Sequence, residues 1–342
     1  MRRSLCHGWK SHSRFRHFCS RMKQLTMRRM KAIRIHTYGG PEQMQLEDAP
    51  VPACRASDLL VRVVAAGVNP IDWKIRAGAM AHGQPLASAL TLGWDAAGVV
   101  DAVGGSVTAF KPGDEVCFYA EFARGGTYAE YVAVDASQVA LKPRTLAFAA
   151  AAALPMAGQA AWTALVDHAQ IARGMRVLIH GGAGALGSVA VQLAKDAGLH
   201  VIATAGGDGV ALVRSLGADE VIDYRSQRFQ DLARDIDVVL DTIGGPTQEA
   251  SWGVMKPGGI LVATAMPPPP ERAAAAGVRA AFVFTPPRGA VLAQLAERVD
   301  AGRLRVLVGQ EFALADAAHA HRLGESGQAR GKMVLHVNAP RV

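Results

Sequence analysis

The run Val177–Gly187, VLIHGGAGALG, constrains this chain more than any other stretch. An apolar block stops at a cluster of glycines, and a helix-like pattern, SVAVQLAKDAG, follows at once. Gly182, Gly184 and Gly187 fit the spacing G-x-G-x-x-G. The first glycine permits a tight turn, the second lets the backbone approach a pyrophosphate, and the third lets the helix pack on the strand. Backbone N–H groups of this loop and of Ala183, Ala185 and Leu186 would then face the phosphates at the helix start. An ordinary strand-to-helix turn is the competing reading. A strand before the glycines and a helix after them is the context that favours a dinucleotide site.

The sequence around this join is organised in two styles. From about Gly174, strands alternate with helices: HVIATA, VALVRSLGA, EVIDY, DVVLDTIG and GGILVATA. That alternation predicts an α/β fold with a doubly wound parallel sheet. From Met30 to about Val139 the pattern is short strands broken by Gly and Pro, which predicts a mostly β domain. Later, GAVLAQLAERVDAG reads as an amphipathic helix and KMVLHV as a strand that could return to the first domain. MPPPP, from Met266, reads as a rigid surface loop. A chain of 342 residues, 50% of them hydrophobic, has room for about two domains.

The formal charge of +8 suggests a nucleic-acid or membrane partner until it is mapped. Residues 1–29 carry nine Lys or Arg and no Asp or Glu, leaving 28 basic against 29 acidic residues elsewhere. The folded body is therefore near neutral and implies no nucleic-acid partner. The basic extension lacks an apolar core, so it is no secretory signal. It reads as an upstream-extended start, with Met27 or Met30 as the true one, or as an organelle transit peptide. The expected location is cytoplasmic, with organelle import if the extension is native. The four cysteines, Cys6, Cys19, Cys54 and Cys117, show no metal or redox spacing. The uncharged run Leu146–Val166 is long enough to span a bilayer, but it is mostly alanine and interrupted by Pro155, Gly158 and Gln159. It reads as packed helical pieces, with no membrane partner.

The strand after the glycine loop chooses between NADH and NADPH. A carboxylate at its end would take the ribose 2′-hydroxyl and repel a 2′-phosphate. Here Thr204, Ala205, Gly206 and Gly207 come first, and Asp208 follows one or two residues late. The pattern leans towards NADPH, with NADH an alternative. Tyr224 and Arg225 could add contacts.

As an ordered set, AAGVNPIDWKIRAG, LGWDAAGVV, FKPGDEV, GGTYAEYV, IHGGAGALGSVAVQLAK, LGADEVIDY, DTIGG, KPGGILV and RGKMVL resemble a medium-chain dehydrogenase/reductase. The similarity runs from Met30 to Val337 and is strongest to the zinc-independent quinone oxidoreductase (zeta-crystallin-like) branch. The resemblance implies a GroES-like substrate domain from residues 30–157 and 287–342, with a Rossmann NAD(P)-binding domain of residues 158–286 inserted between. It also implies a homodimer or homotetramer, joined through the sheet edge around Val262–Pro286.

Zinc alcohol dehydrogenases of that superfamily carry ligands where this chain has Asn69, Trp94 and, nearby, Met156. Those side chains cannot supply a Cys/His/carboxylate shell, and Ile71 replaces a proton-relaying hydroxyl. No zinc is expected. The resemblance assigns Asn69 and Trp73 to the substrate cleft and Asn69, Met156 and Gln159 to the nicotinamide side. Ala160 stands where the family has Thr, and Gln159 could compensate. Thr242, Gly245 and Thr264 fall near the adenosine and nicotinamide ribose. Phe284 and Thr285 flank the nicotinamide. Arg330 and Lys332 are cofactor neighbours or solvated turn residues. Asp72 reads as structural and paired with an arginine, Tyr128 and His180 as packed, and His319 and His321 as solvated.

A zinc-free cleft suits an electron-poor conjugated acceptor, because conjugation spreads incoming charge onto an oxygen that hydrogen bonds can hold. The expected activity is therefore NADPH-dependent reduction of a quinone or an α,β-unsaturated carbonyl. An enoyl-thioester reductase is one alternative. A low-turnover NADP(H)-binding redox sensor or RNA-associated protein is another.

Overall fold

A computed structural model describes residues 28–124, 126–329 and 331–338. Most of the basic extension, residues 1–27, and Arg330 lie outside the described residues.

The first half holds β1 (Arg29–Ile35), β2 (Gln45–Pro50), β3 (Asp58–Val68), β4 (Leu90–Thr91), β5 (Asp95–Val103), β6 (Glu115–Tyr119), β7 (Tyr131–Asp135) and β8 (Val139–Leu141). The middle holds β9 (Arg176–Ile179), β10 (His200–Ala205), β11 (Glu220–Asp223), β12 (Ile236–Asp241), β13 (Met255–Ala263) and β14 (Arg279–Phe282). The end holds β15 (Val308–Ala313) and β16 (Lys332–His336).

Strands β9–β14 form one six-stranded parallel sheet in the order β11-β10-β9-β12-β13-β14. The order in which the chain adds strands reverses between β9 and β12, and the glycine loop follows β9 at that switch point, where α/β sheets bind ligands. The strands are nearly continuous apolar runs because helices cover both faces. Val177, Leu178 and Ile179 are fully buried, and their neighbours Val201, Ile202, Val239 and Leu240 equally so.

The seven-stranded sheet runs β15-β16-β3-β5-β6-β8, with β7 paired to β3. Both ends of the chain thus build one sheet, since β16 pairs antiparallel with β3 from Met333–Val68 to His336–Ala65. The strand expected at KMVLHV returns to the first sheet. Strand β15 had no sequence signal strong enough to name, because its exposure alternates on an edge and its composition, VGQEFA, is weakly apolar.

The uncharged run splits into the helices Phe148–Ala153 and Pro155–Trp162 and a π-helical stretch, Thr163–His168. Among the described residues no helix is long and apolar enough to cross a membrane. Pro155 starts a new helix rather than continuing the old one, since proline fits a first turn and breaks an interior. Helix Pro155–Trp162 packs against Ala185–Asp196, the helix that the glycine loop opens. It is the physical link between the two sheets' functional ends.

Candidate active site

The glycine loop is built by close approach. A Cβ at Gly187 would lie 2.2 Å from the Gly181 carbonyl oxygen. Only glycine lets the helix start pack that tightly on the loop. Gly184 is the N-cap of helix Ala185–Asp196, and no side chain caps it. The first-turn N–H groups of Ala185, Leu186 and Gly187 have no intrahelical partners, so this terminus is an open anion cradle. The loop is held from behind. Gly182 donates its N–H to Thr204 O at 2.9 Å, and Gly181 donates to Thr204 Oγ1 at 3.1 Å. The Thr204 hydroxyl therefore serves the loop itself. Thr242 does likewise, donating to His180 O at 2.8 Å.

His180 is packed, as its strand position implies. It meets Ser251 Oγ at 2.9 Å and the Phe229 ring edge-on. Burial lowers it to about 4, against the opposing pull of Asp241. It stays neutral near pH 7.

The other sequence-named residues gather at the carboxyl ends of the parallel strands. Tyr224 follows β11 and is exposed. Its ring and the Arg225 guanidinium lie over Gly206 and Gly207. A Cβ at Gly206 would meet Tyr224 Cζ at 2.7 Å and Arg225 Nε at 2.9 Å. Among the described residues no carboxylate forms an ion pair with Arg225. Gly245 opens a helix after β12 and donates to Met266 Sδ at 3.0 Å. Thr264 follows β13 and donates its N–H to Asp241 O. Phe284 is exposed after β14, whereas Thr285 is buried with its hydroxyl unpartnered. Gln159 is fully buried. Its Oε1 accepts from the Arg288 N–H at 2.7 Å, and its Nε2 has no partner.

A second polar cluster sits at the other end of helix Pro155–Trp162. Asn69 caps helix Pro70–Arg76 in a capping box with Asp72, donating its N–H to Asp72 Oδ2 at 2.8 Å. The Asn69 amide donates to Asp95 Oδ2 at 2.9 Å and accepts from Lys332 Nζ. Lys332 also donates to Asp95 Oδ2 at 2.8 Å, and Met156 N–H donates to Asp95 Oδ1 at 2.8 Å. Lys332 is 3% exposed and Asp95 0%. The solvated-turn alternative for Lys332 is thus wrong: it is a strand residue whose ammonium enters the interior to meet a carboxylate. Trp94 packs edge-on against Phe122, 5.3 Å between centroids.

Asp72 extends the cluster. Its Oδ2 accepts from Tyr128 OH at 2.7 Å, and Oδ1 is buried without a partner. Burial raises its carboxyl to about 7, although the Asn69 N–H, Tyr128 and Lys332 pull the other way. Tyr128, also fully buried, is raised well above its ordinary value by burial and by Asp72. The expected arginine partner of Asp72 is absent among the described contacts. Arg76 instead donates to Gly39 O and Glu325 and meets His321 Nδ1 at 3.2 Å.

His321 is the clearest correction. It is fully buried rather than solvated, touching Tyr128 OH through Nε2 at 3.3 Å and the Trp73 ring edge-on at 6.0 Å. Burial and Arg76 hold it at about 3. Helical spacing carried the signal: Ala317, Ala320 and His321 share one buried face of helix Ala317–Glu325. His319 is exposed, as expected. Trp73, named for the substrate cleft, is half-buried against His321 and Gly324.

Two family profiles match this chain: the alcohol dehydrogenase GroES-like domain over residues 55–144 and the zinc-binding dehydrogenase over residues 216–335. It is 37% identical over 324 residues to 2-methylene-furan-3-one reductase of Solanum lycopersicum, covering 90% of this chain and 79% of that protein. It is 37% identical over 321 residues to the chloroplastic NADPH-dependent alkenal/one oxidoreductase of Arabidopsis thaliana, with the same coverage. The solved quinone oxidoreductase of Coxiella burnetii superposes with a TM-score of 0.82 at 34% identity, covering 91% of this chain and 100% of that one.

Proposed function

Because the chain belongs to the medium-chain dehydrogenase/reductase superfamily and is an NAD(P)H-dependent oxidoreductase, we propose that it reduces a quinone or α,β-unsaturated carbonyl with NADPH and without zinc. The residues fit the nucleotide. The uncapped helix start after Gly184 suits a pyrophosphate. The Arg225 guanidinium, lying over Gly206 and Gly207 beside Tyr224, suits a 2′-phosphate. The unpartnered Gln159 Nε2 and Thr285 Oγ1 are buried polar atoms of the kind a bound carboxamide satisfies. Bound NADPH supplies a hydride; the protein orients, desolvates and hydrogen-bonds.

The observation that carries the reading is the donor set around Asn69. An amide and an ammonium, closed on one carboxylate, offer N–H donors and no Lewis acid. Hydrogen bonds suffice for a conjugated acceptor, whose oxygen takes the incoming charge, but fall short for an unactivated ketone. The residues do not fit zinc. Three N–H donors already engage Asp95, and among the described residues no three His, Cys, Asp or Glu side chains gather as a metal shell. Trp73 walls the acceptor side, and water protonates the product. A cytoplasmic location belongs to the same reading. So does pairing of two copies along β14, a largely exposed edge strand that among the described residues pairs only with β13.

The test is oxidation of NADPH and NADH by residues 30–342 with ortho-quinones, para-quinones, 2-enones and an enoyl thioester, with and without a zinc chelator. Chelator-insensitive turnover with NADPH and a quinone or enone is expected. Loss of activity on chelation refutes the zinc-free site. Turnover of the thioester alone transfers the reading to acyl-thioester reduction, and tight NADPH binding without turnover favours the sensor.

A further inference from the structure

Lys332, Asp95 and Asn69 come from β16, the start of β5 and the cap after β3, and they close a ring of three hydrogen bonds. Lys332 Nζ donates to both Asn69 Oδ1 and Asp95 Oδ2, and Asn69 Nδ2 returns to the same Asp95 oxygen. An ammonium only donates and a carboxylate only accepts, so the amide has one permitted orientation: oxygen to lysine, nitrogen to aspartate. The amide meets the pair with its oxygen and the N–H on the same side as that oxygen. Its second N–H, anti to the oxygen, lies outside the ring; it and the third N–H of the Lys332 ammonium have no acceptor among the described residues.

This arrangement is costly to bury. Two charges out of water need excellent geometry to break even, and a matched apolar pair is often more stable. Fold stability alone therefore gives weak grounds for it. Nor does it serve solely as a strand tie, since β16 already pairs with β3 over four residues. What the pair does that a leucine and a methionine could not is orient the Asn69 amide.

We propose that Lys332 and Asp95 are positioning residues of the reduction site, a buried ion pair that clamps the Asn69 amide so that one N–H is presented to the reacting partners. This rests on the reductase reading of the site. Lys332 acts through Asn69 and makes no chemical step of its own. The third contact, Met156 N–H to Asp95 Oδ1, ties the clamp to the helix that carries Gln159, so the amide is fixed relative to the nucleotide side as well.

The experiment compares Asn69→Ala, the neutral pair Lys332→Met/Asp95→Leu, the triple variant and Lys332→Arg. The neutral pair leaves no charge unpaired but orphans the Met156 N–H and the Asn69 amide, so it is expected to fold with a melting temperature a few degrees below wild type. Its kcat with the best quinone or enone falls at least about tenfold, matching Asn69→Ala, and the triple variant is no worse than either. Lys332→Arg recovers part of the loss. A readout independent of turnover is the 15N side-chain amide of Asn69, assigned by its absence in Asn69→Ala. Wild type shows a side-chain NH2 order parameter close to that of rigid backbone without added nucleotide, and the neutral pair shows a clearly lower one.

Wild-type kcat in the neutral pair overturns the proposal, as do losses that multiply in the triple variant. An Asn69 side-chain NH2 in wild type as mobile as an exposed amide overturns it too. An inactive wild type with a rigid Asn69 amide upholds the clamp and refutes the proposed reaction.

Discussion

Replacing Gly187 by alanine tests whether the loop at the switch point holds phosphate. The new Cβ would sit 2.2 Å from the Gly181 oxygen and 2.9 Å from the Gly181 carbonyl carbon and the Gly182 Cα. All three are backbone atoms, so no flexible side chain can yield. Reaching ordinary contact requires the loop and helix start to part by roughly 1 Å. Charge-assisted hydrogen bonds are worth about 1.5–3 kcal/mol each, and a shift of that size weakens at least two N–H contacts to a pyrophosphate. A loss of about 2–3 kcal/mol is expected, or roughly 30- to 150-fold in Kd. Overpacking also destabilises by about 1–3 kcal/mol, lowering the apo melting point by a few degrees. The assay is NADPH fluorescence titration well below that melting point. A folded Gly187→Ala protein with wild-type NADPH affinity would show that the loop does not hold the phosphates.

Three further outcomes are expected. Arg225→Ala raises KM for NADPH about ten- to a hundredfold and leaves KM for NADH within about twofold, measured by initial rates; equal effects on both would remove Arg225 from the 2′-phosphate. Asp72, raised to about 7 in the folded protein, binds more protons there than when unfolded between about pH 4 and 7. Wild type therefore carries a loss of stability that grows as pH rises through that window. Asp72→Asn lacks it and gains on wild type in urea midpoint between pH 5 and 8, and a constant difference across that range contradicts the assignment. His321 is held at about 3, so the folded state binds fewer protons than the unfolded one below pH 6.5. Its stabilising effect is complete above that pH and is lost as pH falls towards 3. His321→Gln flattens that acid limb, and an unchanged slope would place the titration elsewhere.

The nucleotide half was legible because its signals are local. A strand, three glycines and a helix occupy consecutive residues, and backbone geometry at Gly187 demands the residue that is there. The alternation of strands and helices likewise reports a parallel sheet without long-range knowledge. The Asn69 cluster was only half legible. Asn69 and Lys332 were named through a resemblance, but their union depends on β16 pairing with β3, a contact between residues far apart in sequence. Nothing near Lys332 signals that an ammonium will be buried, since lysine at a strand start is ordinarily solvated. Asp95 carried no signal of its own, because its three donors come from three separate elements. His321 was misjudged because charged and polar neighbours suggested solvent, while the helical face it shares with Ala317 and Ala320 is buried.

The most direct measurement follows the hydride. NADPH deuterated at C4, in each stereochemical form, would be incubated with residues 30–342 and a 2-enone, and the product examined by mass spectrometry and proton NMR. The account predicts deuterium at the β-carbon from one form only, with solvent hydrogen at the α-carbon and no effect of a zinc chelator. Deuterium at the carbonyl carbon, giving an allylic alcohol, or no transfer from either form while NADPH stays bound, would contradict it.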